Sequence, residues 1–245
     1  MVDLHAHLLP GVDDGPEAIE DAVRMCEVAV ADGVTAAVAT PHQRHEFWPN
    51  ADRDELVTRF QSLRDAVGSD LAVSLGAEIR VDSDLLAEVD LLPDGSLLPL
   101  AGSRYLLLEL SPVPVGPDPR AIVHELAVTG WRPILAHPER IPWLAEDPAS
   151  LAELVGRGAL LQLTAMSVTG ALGRRAKECC TFLLENDLAH FVASDAHDAS
   201  TRPPVLSDAF RVIADRFGEV RARRLTEDNP RAVLQDLPLT KDVAC

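Results

Sequence analysis

The feature of this sequence that most constrains its fold is a repeated switch between two hydrophobic periods. Short apolar runs with the two-residue period of β-strands alternate with stretches whose apolar residues recur every three or four positions, as in helices. This alternation predicts a parallel sheet covered by helices. The predicted strands are Val2–His7, Val34–Thr40, Leu71–Ile79, Tyr105–Leu110, Pro133–His137, Ala159–Thr164 and Phe191–Ser194.

The helical stretches carry boundary signals of their own. Pro16 is predicted at the first position of the first helix, and Gly33 lies just beyond its end. Near the end of the chain, Asn229 followed by Pro230 predicts an N-cap and a first-turn proline. The remaining helices are predicted over about Asp52–Val67, Pro119–Thr129, Ala149–Gly156, Arg175–Asn186 and Val205–Phe217.

The chain has 245 residues and no Pro- or Gly-rich linker that would divide it. We therefore expect residues 1–245 to form one α/β domain, a barrel of about seven strands, since α/β barrels have about 250 residues. An open, doubly wound sheet is the alternative. Its dinucleotide fingerprint fails here, because Gly156 and Gly158 are followed by Leu161 where a third glycine is required.

Polar side chains stand at or just past the ends of six of the seven predicted strands. In α/β barrels the carboxyl ends of the strands build the active site. Imidazole and carboxylate together suit zinc, manganese or iron, and their number exceeds what one ion needs, so we expect two or three ions with a bridging carboxylate. These residues are His5, His7, His42, Glu78, Glu109, His137, Asp195 and His197.

Charge and cysteine usage exclude several classes of protein. The net charge of −17 argues against nucleic acid or an anionic membrane surface as a partner, because both require a basic face. No run resembles a signal peptide or is long enough to span a bilayer, and we expect no membrane insertion. The four cysteines lack paired spacing and predict reduced thiols in a cytoplasmic protein. None begins the Cys-x5-Arg loop of thiol phosphatases.

Seven short motifs resemble the polymerase-and-histidinol-phosphatase (PHP) superfamily, and among its members the metal-dependent tyrosine-protein phosphatases of bacterial capsule and exopolysaccharide operons. They run in the family order over essentially the whole chain. The motifs are Asp3-Leu4-His5-Ala6-His7, Leu9-Pro10-Gly11-Val12-Asp13-Asp14-Gly15, Thr40-Pro41-His42, Gly76-Ala77-Glu78-Ile79, His137-Pro138-Glu139-Arg140, Ser194-Asp195-Ala196-His197 and Arg202-Pro203-Pro204.

This resemblance implies a distorted seven-stranded TIM-like barrel of the PHP type with three divalent metal ions, usually manganese, with iron or zinc as alternatives. It implies that Arg140 and Arg202 bind the phosphate, while a metal-bound hydroxide attacks phosphorus. An aspartate of the Asp13–Asp14 pair completes the third metal, and Asp14 is favoured over Asp13. The implied ligands are His5, His7, Glu78 and Asp195 for the first ion, Glu78, Glu109 and His137 for the second, and Asp14, His42 and His197 for the third.

The implied substrate is a phosphotyrosine protein, with the Tyr-rich tail of a bacterial tyrosine kinase as the expected partner. The loops 43–50 and 111–119 border the expected pocket, and Trp48 is expected to be a packing or rim residue. Histidinol-phosphate phosphatase, or another PHP phosphoesterase, is the alternative on the same metal scaffold. A 3′-5′ exonuclease fits the acidic chain less well. A regulatory metal-binding module without catalysis is a further alternative, although every ligand position is filled.

Overall fold

The computed structural model describes residues 1–92 and 94–239. In that part of the chain nine strands, all paired in parallel, alternate with helices. The strands are β1 (Val2–Ala6), β2 (Ala36–Ala39), β3 (His42–Gln43), β4 (Ala72–Leu75), β5 (Glu78–Arg80), β6 (Tyr105–Glu109), β7 (Arg132–Ala136), β8 (Leu160–Thr164) and β9 (Phe191–Ala193).

Helices cover the outside of the strands. The α-helices are α1 (Ile19–Ala31), α2 (Arg53–Val67), α3 (Leu85–Val89), α4 (Pro119–Val128), α5 (Pro142–Glu146), α6 (Ser150–Gly156), α7 (Ala165–Thr169), α8 (Arg174–Glu185), α9 (Ser207–Phe217), α10 (Glu219–Arg223) and α11 (Asn229–Leu234). Two 3₁₀ turns occupy Leu100–Gly102 and Pro138–Arg140, and a π-helical segment, Arg224–Asp228, joins the last two α-helices.

The strands close into a distorted barrel, which confirms the predicted fold class. They form one sheet in the order β1-β2-β4 and a second in the order β3-β5-β6-β7-β8-β9. Backbone hydrogen bonds join the chain beyond β9 to β1: the His7 amide donates to the Ala196 carbonyl at 2.8 Å, and the Asp195 amide donates to the His5 carbonyl at 2.8 Å. The doubly wound alternative, which needs an open sheet, is therefore wrong.

One predicted strand is broken in two, and another is followed by a short extra strand. The predicted strand Leu71–Ile79 divides into β4 and β5, and the chain after β2 resumes as the short β3. Gly76 marks the first break, where a Cβ atom would lie 2.8 Å from Leu100 Cδ2 and 3.1 Å from Val38 Cγ1. Pro41 marks the second, because proline has no amide hydrogen for the ladder. Both breaks shift the following strand into the second sheet.

Two predicted helix boundaries are wrong, and one is confirmed. Helix α1 begins at Ile19, so Pro16 lies in the preceding turn instead of at the first helical position. Gly33 follows the helix with φ of 88°, the left-handed conformation that favours glycine. Asn229 is not an N-cap: it is helical, because the π-helical segment runs directly into α11, and its side-chain amide donates to the His190 carbonyl at 2.8 Å. Pro230 does lie in the first turn of α11, as predicted.

A small apolar cluster fills the barrel beneath the polar strand ends. Tyr105 and Leu107 lie on the same face of β6 as Glu109, because every second residue of a strand shares a face, and both are buried. They pack in a cluster with Phe191 of β9 and Val233 of α11. A second, larger apolar cluster lies between the strands and the surrounding helices. The polar ends of the strands therefore rest on a rigid, tightly packed base.

The thiols behave as packing residues. Cys26 of α1 and the adjacent Cys179 and Cys180 of α8 are free and buried, so each packs on the inner face of its helix. Burial raises the pKa of Cys179 to about 12, so its thiol is unreactive at neutral pH. Cys245 lies outside the described residues. Among the residues that the structure describes, no helix is both long and apolar enough to cross a bilayer.

Candidate metal centre

The structure brings all nine implied metal ligands together at one end of the barrel: most lie at or just past the carboxyl ends of strands, His42 and Glu78 begin the short strands β3 and β5, and Asp14 lies in the loop after β1. Their donor atoms form four overlapping groups, and within each group the atoms lie within 4.8 Å of one another. Because the groups share members, the nine side chains form one nested cluster. The groups are His7, Asp14, His42 and His197; His5, His137 and Asp195; His5, His7 and Glu78; and His42, Glu78 and Glu109.

His5 and His7 of the first strand segment supply the deepest imidazoles, and both are fully buried. Because they are two residues apart, they share one face, and their Nε2 atoms are 3.3 Å apart. His5 Nδ1 lies 2.9 Å from the Gln162 side-chain oxygen, and His7 Nδ1 lies 2.8 Å from Asp13 Oδ2. These two acceptors favour a proton on each Nδ1, which leaves both Nε2 lone pairs directed into the cluster.

Glu78 lies at the centre of the cluster. Its Oε2 atom is 3.4 Å from His5 Nε2, 3.5 Å from His7 Nε2 and 3.1 Å from His42 Nδ1. Its Oε1 atom is 2.7 Å from His137 Nε2. The two oxygens thus face different imidazoles, so this one carboxylate contacts two sides of the cluster.

The two neighbouring aspartates have different surroundings. Asp14 is partly exposed, and its oxygens lie 3.5 Å from His42 Nε2 and 3.3 Å from His197 Nε2. Asp13 Oδ2 instead contacts His7 Nδ1 and accepts the His42 backbone amide at 3.0 Å. Asp14 therefore faces the cluster, whereas Asp13 orients two residues of it from behind.

Two arginines converge on the carboxylate of Asp195. Arg202 Nη2 donates to Asp195 Oδ2 at 2.7 Å and to the Asp195 carbonyl at 3.1 Å, and Arg140 Nη1 also donates to Oδ2. The other oxygen, Oδ1, lies 3.4 Å from His5 Nε2. The side chains of Arg140 and Arg202 are 32% and 26% exposed, so both guanidiniums border solvent next to the cluster.

Two of the strand-end residues have unfavourable backbone conformations. His137 and Asp195 have φ of 32° and 53°, in the left-handed region where a side chain costs about 1–3 kcal/mol. His137 directly follows β7, Asp195 lies two residues beyond the end of β9, and each sharp turn aims its side chain into the barrel mouth. Histidine and aspartate adopt this conformation more often than most residues do, but no pattern in the sequence marks these two positions for it.

Sequence reasoning missed three supporting residues. Asp3 and Gln162 were not singled out, and Asp13 was considered only as an alternative metal ligand, not as a residue that orients His7 and His42. Asp3 is fully buried, and it accepts the Ser194 hydroxyl at 2.5 Å and the Ser194 amide at 3.0 Å. It therefore ties the strand that carries His5 to the segment that carries Asp195. The available signal was a polar side chain within an otherwise apolar, buried strand, as at Asp3 and Gln162.

The charges of the cluster compensate one another. Burial opposes ionisation throughout, but contacts with carboxylates prevail and raise the pKa of His7, of His137 and of His42, the last to about 9. Burial likewise opposes the charge of Glu78 and Asp195, yet the nearby cationic groups lower the pKa of both. Protons on His7, His42 and His137 thus balance the carboxylates in the metal-free chain, in positions where cations would do so.

Four buried atoms of the nine ligand side chains lack a hydrogen bond: one is His137 Nδ1, and the other three, His42 Nδ1, Glu78 Oε2 and Glu109 Oε2, belong to one ligand group. Buried polar atoms without a partner are rare, and burial together with repulsion from Glu78 raises the pKa of Glu109. A divalent cation would satisfy all three atoms, because each offers a lone pair to the interior of the cluster. The residues present therefore fit a site for hard or borderline metal ions.

The sequence also matches the model of a known protein family. A family model described as "Capsular polysaccharide synthesis, CpsB/CapC" matches residues 1–235. The chain belongs to the CpsB/CapC family. The resemblance inferred from the sequence motifs is confirmed at this level.

Two curated CpsB/CapC relatives cover nearly the whole chain. The tyrosine-protein phosphatase YwqE of Bacillus subtilis is 33% identical over 230 residues, which are 93% of this chain and 89% of YwqE. The tyrosine-protein phosphatase CpsB of Streptococcus pneumoniae is 30% identical over 244 residues, 96% of this chain and 99% of CpsB.

A solved structure extends the likeness to three dimensions. It comes from crystal structures of YwqE and CpsB, described as metal-dependent tyrosine phosphatases. This chain superimposes with a TM-score of 0.88 and 31% identity, over 98% of this chain and 96% of that one.

Proposed function

We propose that residues 1–245 form one catalytic domain, a metal-dependent protein-tyrosine phosphatase. The observation that carries the proposal is the nested cluster of nine imidazole and carboxylate side chains, with two guanidiniums at its border. The relatives YwqE and CpsB, which are named tyrosine-protein phosphatases, support the same activity. The chain lacks the thiol loop of other tyrosine phosphatases, so its reaction depends on the metal cluster.

The proposed cofactor is a set of three divalent ions, with manganese favoured over iron and zinc. The shared position of Glu78 supports bridging between the first two ions, and the position of Asp14 supports its role at the third. His42 lies between these two carboxylates, since its Nδ1 atom faces Glu78 and its Nε2 atom faces Asp14. The proposed sets are His5, His7, Glu78 and Asp195; Glu78, Glu109 and His137; and Asp14, His42 and His197.

When bound, divalent ions lower the pKa of water towards neutrality and neutralise charge on phosphoryl oxygens. The chain supplies the remaining interactions. Arg140 and Arg202 are already oriented by Asp195, and their exposed nitrogens can donate to the outer oxygens of a phosphate. Fixed donors of this kind stabilise the charge that spreads over those oxygens as the ester bond breaks. Tyrosine leaves readily, since its hydroxyl has a pKa of about 10 and needs little help from an acid.

The proposed substrate is the phosphotyrosine-bearing tail of a bacterial tyrosine kinase that controls capsule or exopolysaccharide synthesis, and the proposed location of this chain is the cytoplasm. The family description supports this setting. Three divalent ions and two arginines would outweigh the four carboxylates of the site, so the pocket would be positive within a chain of net charge −17. The chain as a whole would not attract acidic partners, and recognition would depend on contacts at the pocket.

Phosphate release from a phosphotyrosine peptide tests the proposal. Protein stripped by a chelator should be inactive, and added manganese should restore turnover. In Asp195→Ala, we expect loss of both turnover and bound metal, because this carboxylate contacts His5 and both arginines. An exposed carboxylate away from the cluster, replaced in Asp215→Ala, serves as the control and should retain both. Full activity of Asp195→Ala with unchanged metal content would refute the site.

A further inference from the structure

An aromatic cluster lies beside the candidate metal centre, and the reaction described above does not use it. We name His45, Phe47 and Trp48 the aromatic rim. The Trp48 ring is parallel to the His42 imidazole within 6°, with centroids 5.3 Å apart, and His45 stacks on both rings at 4.9 and 4.7 Å. The rim therefore begins directly at a proposed metal ligand.

Phe47 forms the outer edge of the aromatic rim. Its ring lies 6.0 Å from the Trp48 ring in an edge-to-face arrangement and 5.7 Å from His45. The Phe47 side chain is 70% exposed, although phenylalanine is usually buried. An exposed phenyl ring next to a polar pocket, in contact with two further rings, is typical of a binding surface.

The loop that carries the rim is held at its base. The Arg44 amide donates to the Pro49 carbonyl at 2.9 Å, and the Asn50 side chain donates to the His42 carbonyl at 2.7 Å. Gln43 is buried, and its side-chain amide donates to the Asn50 carbonyl at 3.1 Å.

Two further interactions hold the loop, one with a residue outside it and one between two of its own residues. The Arg44 guanidinium forms a two-pronged ion pair with Asp82, and the Phe47 amide donates to His45 Nδ1 at 3.2 Å. The exposed ring of Phe47 is therefore presented by an ordered loop, which lowers the entropy lost when a ligand binds.

We propose that the aromatic rim binds the phenyl ring of the phosphotyrosine substrate while its phosphate enters the metal centre. This inference rests on the proposed function and adds the residues that select an aryl ester. In phosphotyrosine the ring adjoins the phosphate, just as the rim adjoins His42. Stacked and edge-to-face contacts are the arrangements that a bound phenyl ring prefers. An alkyl phosphate, such as phosphoserine, would leave the rim without a partner.

Binding of two phosphonates that are not hydrolysed tests the rim apart from catalysis. Benzylphosphonate carries the ring, and methylphosphonate carries only the anion. With manganese-loaded protein, calorimetry gives a dissociation constant for each, and their ratio isolates the contribution of the ring. We expect the wild-type chain to prefer benzylphosphonate and Phe47→Ala to lose about fivefold of that preference, since an aromatic pair contributes about 0.5–1.5 kcal/mol beyond its buried area.

Three comparisons keep the result interpretable. Phe47→Tyr retains a ring and should retain the ratio. Glu46→Ala changes the neighbouring exposed residue of the same loop, and Val220→Ala removes an exposed apolar side chain on α10; both should also retain the ratio. Metal content is measured for each variant, so that damage to the cluster is recognised.

A ratio in Phe47→Ala equal to that of the wild type would overturn the proposal, even if the protein hydrolyses phosphotyrosine peptides. Equal loss in Glu46→Ala would also overturn it, because the effect would then belong to the loop and not to the ring. Failure to hydrolyse phosphotyrosine peptides would instead refute the proposed function, whatever the binding ratio shows.

Discussion

Gln162 provides the sharpest test of how the chain prepares its metal ligands. Its side-chain oxygen lies 2.9 Å from His5 Nδ1, and both residues are fully buried. In Gln162→Leu, His5 loses this acceptor, and a buried donor without a partner costs about 1–3 kcal/mol. The tautomer with its proton on Nε2 then competes, and that proton occupies the position where a metal would bind.

From this geometry we expect the dissociation constant for manganese to rise about 10–100-fold in Gln162→Leu, equivalent to about 1.4–2.7 kcal/mol. This is the loss of metal affinity that is typical when the hydrogen-bond partner of a metal-bound histidine is removed. Competition with a metal-binding dye measures it. Gln162→Glu keeps an oxygen acceptor of similar size and should bind manganese at least as tightly as the wild type. If Gln162→Leu binds manganese with wild-type affinity and keeps its metal-free melting temperature, the argument that Gln162 orients His5 is refuted.

Three further predictions concern the aspartates, the arginines and protons. Elemental analysis should show one metal ion fewer per chain in Asp14→Asn. Asp13→Asn should keep the wild-type number of metal ions and bind them more weakly. The reverse pattern would exchange the roles of the two aspartates. Arg140→Ala and Arg202→Ala should each weaken the binding of inorganic phosphate to the metal-loaded protein by about tenfold or more, because a charge-assisted donor is lost. Both variants should keep the wild-type metal content. Loss of metal would instead show that the arginines are structural. Since the pKa of His42 is about 9 in the metal-free chain, His42 is protonated at pH 7 and manganese must displace that proton, so affinity should fall as pH falls. Calorimetry in two buffers of different ionisation enthalpy should show release of at least one proton per chain, and no release would contradict the assignment.

The fold and the composition of the site follow largely from local patterns. Two residues of separation put His5 and His7 on one face of a strand whatever the tertiary structure. Parallel strands then bring their carboxyl ends to one edge, so residues as distant in sequence as His42, Glu109 and Asp195 could be grouped before the fold was known.

The details that sequence patterns could not supply depend on tertiary contacts. The break between β4 and β5 results from the close approach of Gly76 to Leu100, which no local pattern reports. The different positions of Asp13 and Asp14 are set by the path of one turn, since adjacent side chains in a turn have no fixed period. The left-handed backbone at Asp195 likewise exists only because the surrounding structure holds it, with the Asp195 amide bonded to His5.

The central claim is that this metal cluster hydrolyses phosphotyrosine, and one comparison of substrates tests it most directly. The measurement is kcat/KM for a phosphotyrosine peptide and for histidinol phosphate, side by side, on manganese-reconstituted protein with a chelated control. The account predicts turnover that the chelator abolishes and a clear preference for the peptide. Preference for histidinol phosphate, or peptide turnover that survives complete removal of metal, would contradict it.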